Sequence, residues 1–127
     1  MSSEPSYNPY APGQQAQELS PADQRLWSTL IHLGGIVFGF WPALIGYIVL
    51  KDRGPFVLSH TKSSLNFQIS LVLYSIVVGF FTLITFGFGA LLYFPLAVIA
   101  VIFMIVAGLA ANRGELYTYP LTITIIS

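Results

Sequence analysis

The sequence predicts an all-α integral membrane protein: a bundle of three transmembrane helices with almost nothing folded outside the bilayer. Three observations carry this. Charged residues make up 8% of the chain against 55% hydrophobic, where ordinary soluble domains carry about a quarter charged. Two long stretches, residues 30–50 and 65–111, hold no charge at all. Helix breakers and interfacial aromatics punctuate both. A soluble domain of 127 residues has too much surface for its volume to hide so much apolar area, so lipid must be the solvent for most of it. The five basic and five acidic residues balance, which gives nothing to steer the chain toward nucleic acid. With no cysteine, disulfides, iron–sulfur clusters, thiolate metal sites and thiol catalysis are excluded together.

Residues 1–19 are rich in Ser, Pro, Gln and Tyr without apolar periodicity, a composition that cannot offset its ordering entropy and predicts a disordered tail. The stretch lacks the basic start and apolar run of a cleavable signal. Ser20-Pro21-Ala22-Asp23 is a helix start, with Ser20 as cap, Pro21 in the first turn and Asp23 at the positive helix end. Trp27 suits an interfacial anchor. The first span covers residues 30–50, about the 20 needed to cross the core, with a kink expected at Trp41-Pro42. Lys51-Asp52-Arg53-Gly54-Pro55 ends it.

Residues 56–64 mix apolar and polar side chains and predict an interfacial helix before the second span. A continuous helix over 65–111 would reach roughly 70 Å against a core of about 30 Å, so the chain must fold back. Gly87-Phe88-Gly89 is the good breaker near the middle, flanked by Phe86, Tyr93 and Phe94. That places spans at about 65–85 and 90–111, and a surface segment at 112–127. With three spans, the tail and the Gly87 turn share a side holding only Arg25, while Lys51, Arg53, Lys62 and Arg113 lie opposite. The positive-inside rule then predicts an external N-terminus and a cytoplasmic C-terminus. A first segment re-entrant at Pro42 is the competing reading and puts both termini inside.

His60, Lys62, Asn66 and Gln68 form the densest polar cluster. On a helix His60, Ser64 and Gln68 share one stripe, and Lys62, Asn66 and Ser70 a neighbouring one. Such a track either lines a wet cavity or supplies interhelical hydrogen bonds. The other histidine, His32, is expected roughly 25–30 Å from His60 across the bilayer, and no carboxylate nearby completes a zinc sphere, so no metal site is predicted. Gly35 and Gly39 form a GxxxG pattern that Ala43 and Gly46 continue, a groove for close helix packing read first as a seam within the chain's own bundle. At the C-terminus Glu115 is a lone carboxylate without a base partner. Residues 121–126 alternate Ile and Thr like a strand; lacking a partner strand, they are loosely held or pair with another protein. No nucleophile–base pair and no phosphate loop appears.

Two stretches carry a family resemblance. His60-Thr61-Lys62-Ser63-Ser64-Leu65-Asn66-Phe67-Gln68, with Lys51-Asp52 and Pro55-Phe56-Val57 before it, resembles the entry to the second span in a family of small bacterial membrane proteins of unknown function similar to the Tic-twenty component of the chloroplast import translocon. Gly114-Glu115-Leu116-Tyr117-Thr118-Tyr119-Pro120 resembles that family's ending, and His32-Leu33-Gly34-Gly35 its opening. The chain departs from the pattern in lacking acidic residues near Leu58-Ser59 and Ser63 and basic residues near Thr118 and Thr124. The resemblance implies a helical membrane fold and, by analogy, a part in a translocation pore. From the residues themselves, a structural or accessory subunit packed against a larger membrane complex is the leading expectation. A homo-oligomeric pore or translocation component around the His60–Gln68 stripe is the alternative, and an enzyme ranks last. The expected partners are the bilayer and either a membrane protein or a second copy. No cofactor and no nucleic acid are expected.

Overall fold

A computed structural model describes residues 18–127; of the tail expected over 1–19, all but Glu18 and Leu19 lie outside the described residues. Four α-helices follow one another: α1 over Pro21–Phe38, α2 over Phe40–Leu50, α3 over Pro55–Ile84 and α4 over Tyr93–Asn112, with a 3-10 turn at Phe88–Leu92 before α4. There is no strand among the described residues. Two segments, Pro55–Ile84 and Phe88–Asn112, are long and apolar enough to cross a membrane.

The start of α1 is as the sequence wrote it. The Ser20 hydroxyl accepts from the Asp23 N–H at 3.1 Å, and Pro21 stands in the first turn, where its missing donor is not needed. What differs is the first span. It is not one kinked helix but a helical hairpin. Gly39, at φ +62°, turns the chain where a side chain is costly, and α2 begins at Phe40. Pro42 is the third residue of this new helix, a position whose N–H has no intrahelical acceptor in any case, so it kinks nothing. The two arms run back along each other: Gly34 faces Pro42 and Gly46 faces Ile31. The open ends close on each other, with the Leu19 N–H donating to the Arg53 carbonyl at 2.7 Å.

In place of the straight first span over 30–50, the chain enters and leaves this hairpin at one end, as the competing re-entrant reading has it, though the break lies at Gly39 and not at Pro42. The hairpin also brings all five basic residues of the chain together. Arg25 opens α1, Lys51 and Arg53 close the hairpin, Lys62 lies in the second turn of α3, and Arg113 follows α4. Leu19 and Gly114 lie at this same end, with Leu19 bonded to Arg53 and Gly114 beside the Arg25 side chain.

The interfacial segment expected over 56–64 to lead into the second span is the beginning of α3. Nothing between Pro55 and Thr85 breaks a helix, and its 30 residues span about 45 Å, more than the hydrocarbon core needs. Its first turns are therefore held inside the bundle, with Val57, His60, Thr61 and Ser64 buried. Gln24 of α1 caps it from outside: its Oε1 accepts from the N–H groups of Phe56 at 3.1 Å and Val57 at 3.2 Å, and its Nε2 donates to the Leu19 carbonyl at 2.9 Å. At the far end the turn falls where the breaker predicts. Phe86 and Gly87 take positive φ, and Gly89 lies so close to the Thr82 backbone that an added Cβ would sit 2.8 Å from its nitrogen. Large apolar side chains such as Val77, Phe80, Leu83 and Phe94 are exposed around the outside, as a lipid-facing surface should be.

Candidate functional site

The polar cluster of α3 and the C-terminal segment after α4 build one site together. The segment 113–127 does not lie loosely at the surface. From Gly114, at φ +80°, it runs down along α3 to a turn at Pro120 and Leu121 and back. A row of α3 side chains holds its backbone. The Ser63 hydroxyl donates to the Tyr117 carbonyl at 2.6 Å. Asn66 takes the N–H groups of Ile125 at 3.0 Å and Ile126 at 2.8 Å on its Oδ1 and gives its Nδ2 to the Ile126 carbonyl at 2.9 Å. The Ser70 hydroxyl accepts from the Ile123 N–H at 2.8 Å, and the Tyr74 hydroxyl donates to the Leu121 carbonyl. These four residues recur at intervals of three and four, one stripe of a helix. Extended backbone in a low-dielectric setting must find partners for its polar groups, and this stripe provides them.

At the mouth of the stripe sits a chain of buried rings. Tyr119, 3% exposed, stacks on Phe67 with centroids 4.0 Å apart. Its hydroxyl meets His32 Nδ1 at 2.5 Å, His32 Nε2 meets His60 Nδ1 at 2.7 Å, and His60 Nε2 meets the Glu115 carbonyl at 2.9 Å. The carbonyl can only accept, which fixes every direction for two neutral rings. His60 donates from Nε2 and so accepts at Nδ1; His32 donates from Nε2 and accepts at Nδ1; Tyr119 donates. Burial pushes the Tyr119 phenol well above its ordinary value, Tyr117 pushes it further, and the Ser64 hydroxyl pulls it partly back. The histidines expected on opposite membrane faces are thus in contact. The hairpin is the reason, since it carries His32 back to the level of His60.

The other expected residues fall as follows. Gln68 lies between α1 and α4, its Nε2 3.3 Å from the Met104 sulfur and close against Gly35. Lys62 is partly buried beside the stripe and has no hydrogen-bond or ion-pair partner among the described residues. The small-residue groove is split. Gly35 packs on Gln68 and Met104, Gly46 on Ile31 and Thr61, Ala43 is buried in the hairpin core, and Gly39 is the hairpin tip, where an added Cβ would meet nothing within 4 Å. Glu115 uses its carbonyl on His60, while its carboxylate pairs with Arg113 at 3.2 Å in the open, an arrangement worth little. Tyr117 packs edge-on to Tyr119 at 5.1 Å, and Pro120 opens the turn. Sequence reasoning did not assign Gln24, Ser63 or Tyr74. Asn66 and Ser70 were legible as one stripe, with Lys62 in the place that Ser63 takes, but the partner of that stripe, a stretch of backbone, leaves no signature in side chains.

No group of three or more His, Cys, Asp or Glu residues is placed to hold a metal among the described residues. A family model settles the kinship: the MamF/MmsF magnetosome magnetite crystal formation protein family matches residues 23–126. The chain belongs to that family. The resemblance to Tic-twenty-like proteins is thereby corrected, because the two families are distinct; short motifs at helix entries and exits, each driven by membrane-interface chemistry, do not discriminate between small helical membrane families. No curated protein and no solved structure matches the chain. This MamF/MmsF member is a small membrane protein with transmembrane helices.

Proposed function

We propose that this chain is a non-catalytic subunit of the magnetosome membrane that takes part in forming the magnetite crystal by packing against other proteins there. Family membership supplies the setting. The observation that carries the accessory role is the use of the interior polar groups: Ser63, Asn66, Ser70 and Tyr74 bond to the chain's own C-terminal backbone, and the two histidines bond to each other, to Tyr119 and to Glu115. A track whose donors and acceptors are engaged in holding the fold offers no path for a transported species, so the pore reading loses the feature on which it rested. The gathering of all five basic residues at one end supports, by the positive-inside rule, a cytoplasmic reading of that end, where Leu19 and Gly114 lie. The turn after α3 then faces the crystal compartment.

The test is complementation of a magnetite-forming strain lacking its own copy, with crystal size and number read by electron microscopy. Loss of the chain should alter the crystals and the wild-type gene should restore them. Glu115→Gln, which removes the carboxylate of the C-terminal segment, should restore them equally at equal membrane abundance. Unaltered crystals in the deletion strain would sink the crystal role; failure of Glu115→Gln at full abundance would sink the non-catalytic reading. A reporter after Ser127 that reads as external would reverse the topology.

A further inference from the structure

The cross-section of the molecule changes sharply along its length. Gly35 of the hairpin lies against Gln68 of α3 and Met104 of α4. The hairpin tip at Gly39 is about 6 Å beyond that level, near Val72 of α3. The C-terminal segment turns back at Pro120 and Leu121, at the level of Tyr74, whose hydroxyl bonds to the Leu121 carbonyl. From there only α3 runs on, to Ile84, and α4 returns from Tyr93. Burial stops at the same level: Ser70 is the last buried residue of α3 and Ala100 the first of α4. Between residues 71 and 99 Gly89 alone is buried, in the turn itself.

This change of section falls inside the bilayer. From Ser64 to Ile84 α3 rises about 30 Å, the thickness of the hydrocarbon core, and Val72 is about 12 Å along that rise. The hairpin therefore ends within the leaflet next to the charges. It faces lipid there, since Val37, Phe38, Trp41, Ile45 and Ile48 are all exposed and residues 30–50 hold no charge. One leaflet thus accommodates four helices and the C-terminal segment, and the other only the ends of α3 and α4 with the 3-10 turn.

We propose that the protein is a wedge fitted to a curved bilayer, one whose convex leaflet holds the basic end. A body broad in one leaflet and narrow in the other displaces unequal areas of lipid. On a flat bilayer that inequality strains the lipid packing, as a mismatch of hydrophobic length does. Bending the bilayer so that the crowded leaflet is convex relieves the strain. Helices that insert into one leaflet alone are curvature-sensitive for the same reason. The preference is reciprocal, because a chain stabilised by curvature stabilises curvature in return. With the basic end in the cytoplasm, as proposed above, the favoured membrane is one that closes around an internal compartment. That direction rests on the topology reading; the wedge itself does not.

The chain has no native cysteine, so full-length Asp52→Cys carries a single dye at the basic end. It is reconstituted in both senses into giant vesicles of zwitterionic and anionic phospholipid, and a narrow membrane tube is pulled from each vesicle. A membrane-impermeant quencher added outside separates copies whose basic end faces outward from those facing inward. Outward copies should be several-fold denser on the tube than on the parent vesicle, and inward copies several-fold depleted. Equal densities on tube and vesicle for both senses would overturn the wedge, and so would enrichment of the inward copies. The depth of the hairpin is read separately. Trp27→Phe leaves Trp41, beside the tip, as the only tryptophan. Nitroxides near the ends of the lipid acyl chains should quench it more than nitroxides at the headgroups. Stronger quenching from the headgroups would put the tip at a membrane surface and overturn the geometry on which the wedge rests.

Discussion

The two halves of the bundle are held by different forces. The half that carries the charges is polar inside, with Gln24, Ser28, His32, His60, Thr61, Ser64, Asn66, Gln68 and Ser70 all buried. The half around the turn after α3 has few such bonds, among them the Thr85 hydroxyl accepting from the Gly89 N–H at 2.7 Å and the Tyr93 hydroxyl reaching the Ser75 carbonyl at 2.8 Å, and its large apolar residues face outward. Between spans in lipid there is little hydrophobic driving force, because lipid tails solvate apolar side chains as well as a helix does. Hydrogen bonds and close contacts must therefore specify the fold. They are concentrated where α1, α3 and the C-terminal segment meet, so that end should be specific and sensitive, and the other tolerant.

Asn66→Leu should break this contrast most severely. It keeps the volume and leaves two N–H groups and one carbonyl of the C-terminal segment without partners, a loss of about 3 kcal/mol or more at 1–3 kcal/mol per orphaned group. Equilibrium unfolding in mixed micelles measures it, and the segment should become sensitive to carboxypeptidase. A loss below about 1 kcal/mol would mean that the segment finds water or other partners. His32→Leu should cost about 2–3 kcal/mol, because it orphans both the Tyr119 hydroxyl and a ring nitrogen of His60. A His32/His60 double-mutant cycle that adds without coupling would show that the pair does not act as one unit.

Tyr119→Phe keeps the stack on Phe67 and removes only the donor, for about 1–2 kcal/mol. The same group makes the C-terminal lock alkali-sensitive. Its phenol titrates above the unfolded value of about 10, so its stabilisation is fully present below that pH and is lost as the pH rises through the shifted value. Carboxypeptidase release of the segment should therefore begin above about pH 10, and the Phe variant should lose that dependence. At the other half, Val77→Ala, on a side chain 65% exposed to lipid, should change stability by less than about 0.5 kcal/mol. A larger effect there would erase the distinction between the halves.

Much of this was legible in the residues. Ser20 and Pro21 marked a helix start, the charge-free run 65–111 demanded a fold-back, and Gly87 and Gly89 located it. Asn66, Ser70 and Gln68 announced polar contacts within the membrane. The first segment was legible only as a pair of alternatives, a kinked span or a re-entrant segment broken at Pro42, because both have the same composition; the turn that separates them lies at Gly39, at φ +62°. That difference decides whether the first segment runs on or turns back, and with it the distance between His32 and His60.

The sequence alone determined the solvent of this protein, the start of its first helix and the turn between its two longest helices, because hydropathy, capping and helix breaking act through residues near one another in the chain. Only the tertiary structure decided what the polar residues are for. Asn66 recognises a backbone 60 residues away, and His32 bonds to a tyrosine 87 residues away. Backbone groups are the same in every residue, so no local pattern could have named those partners.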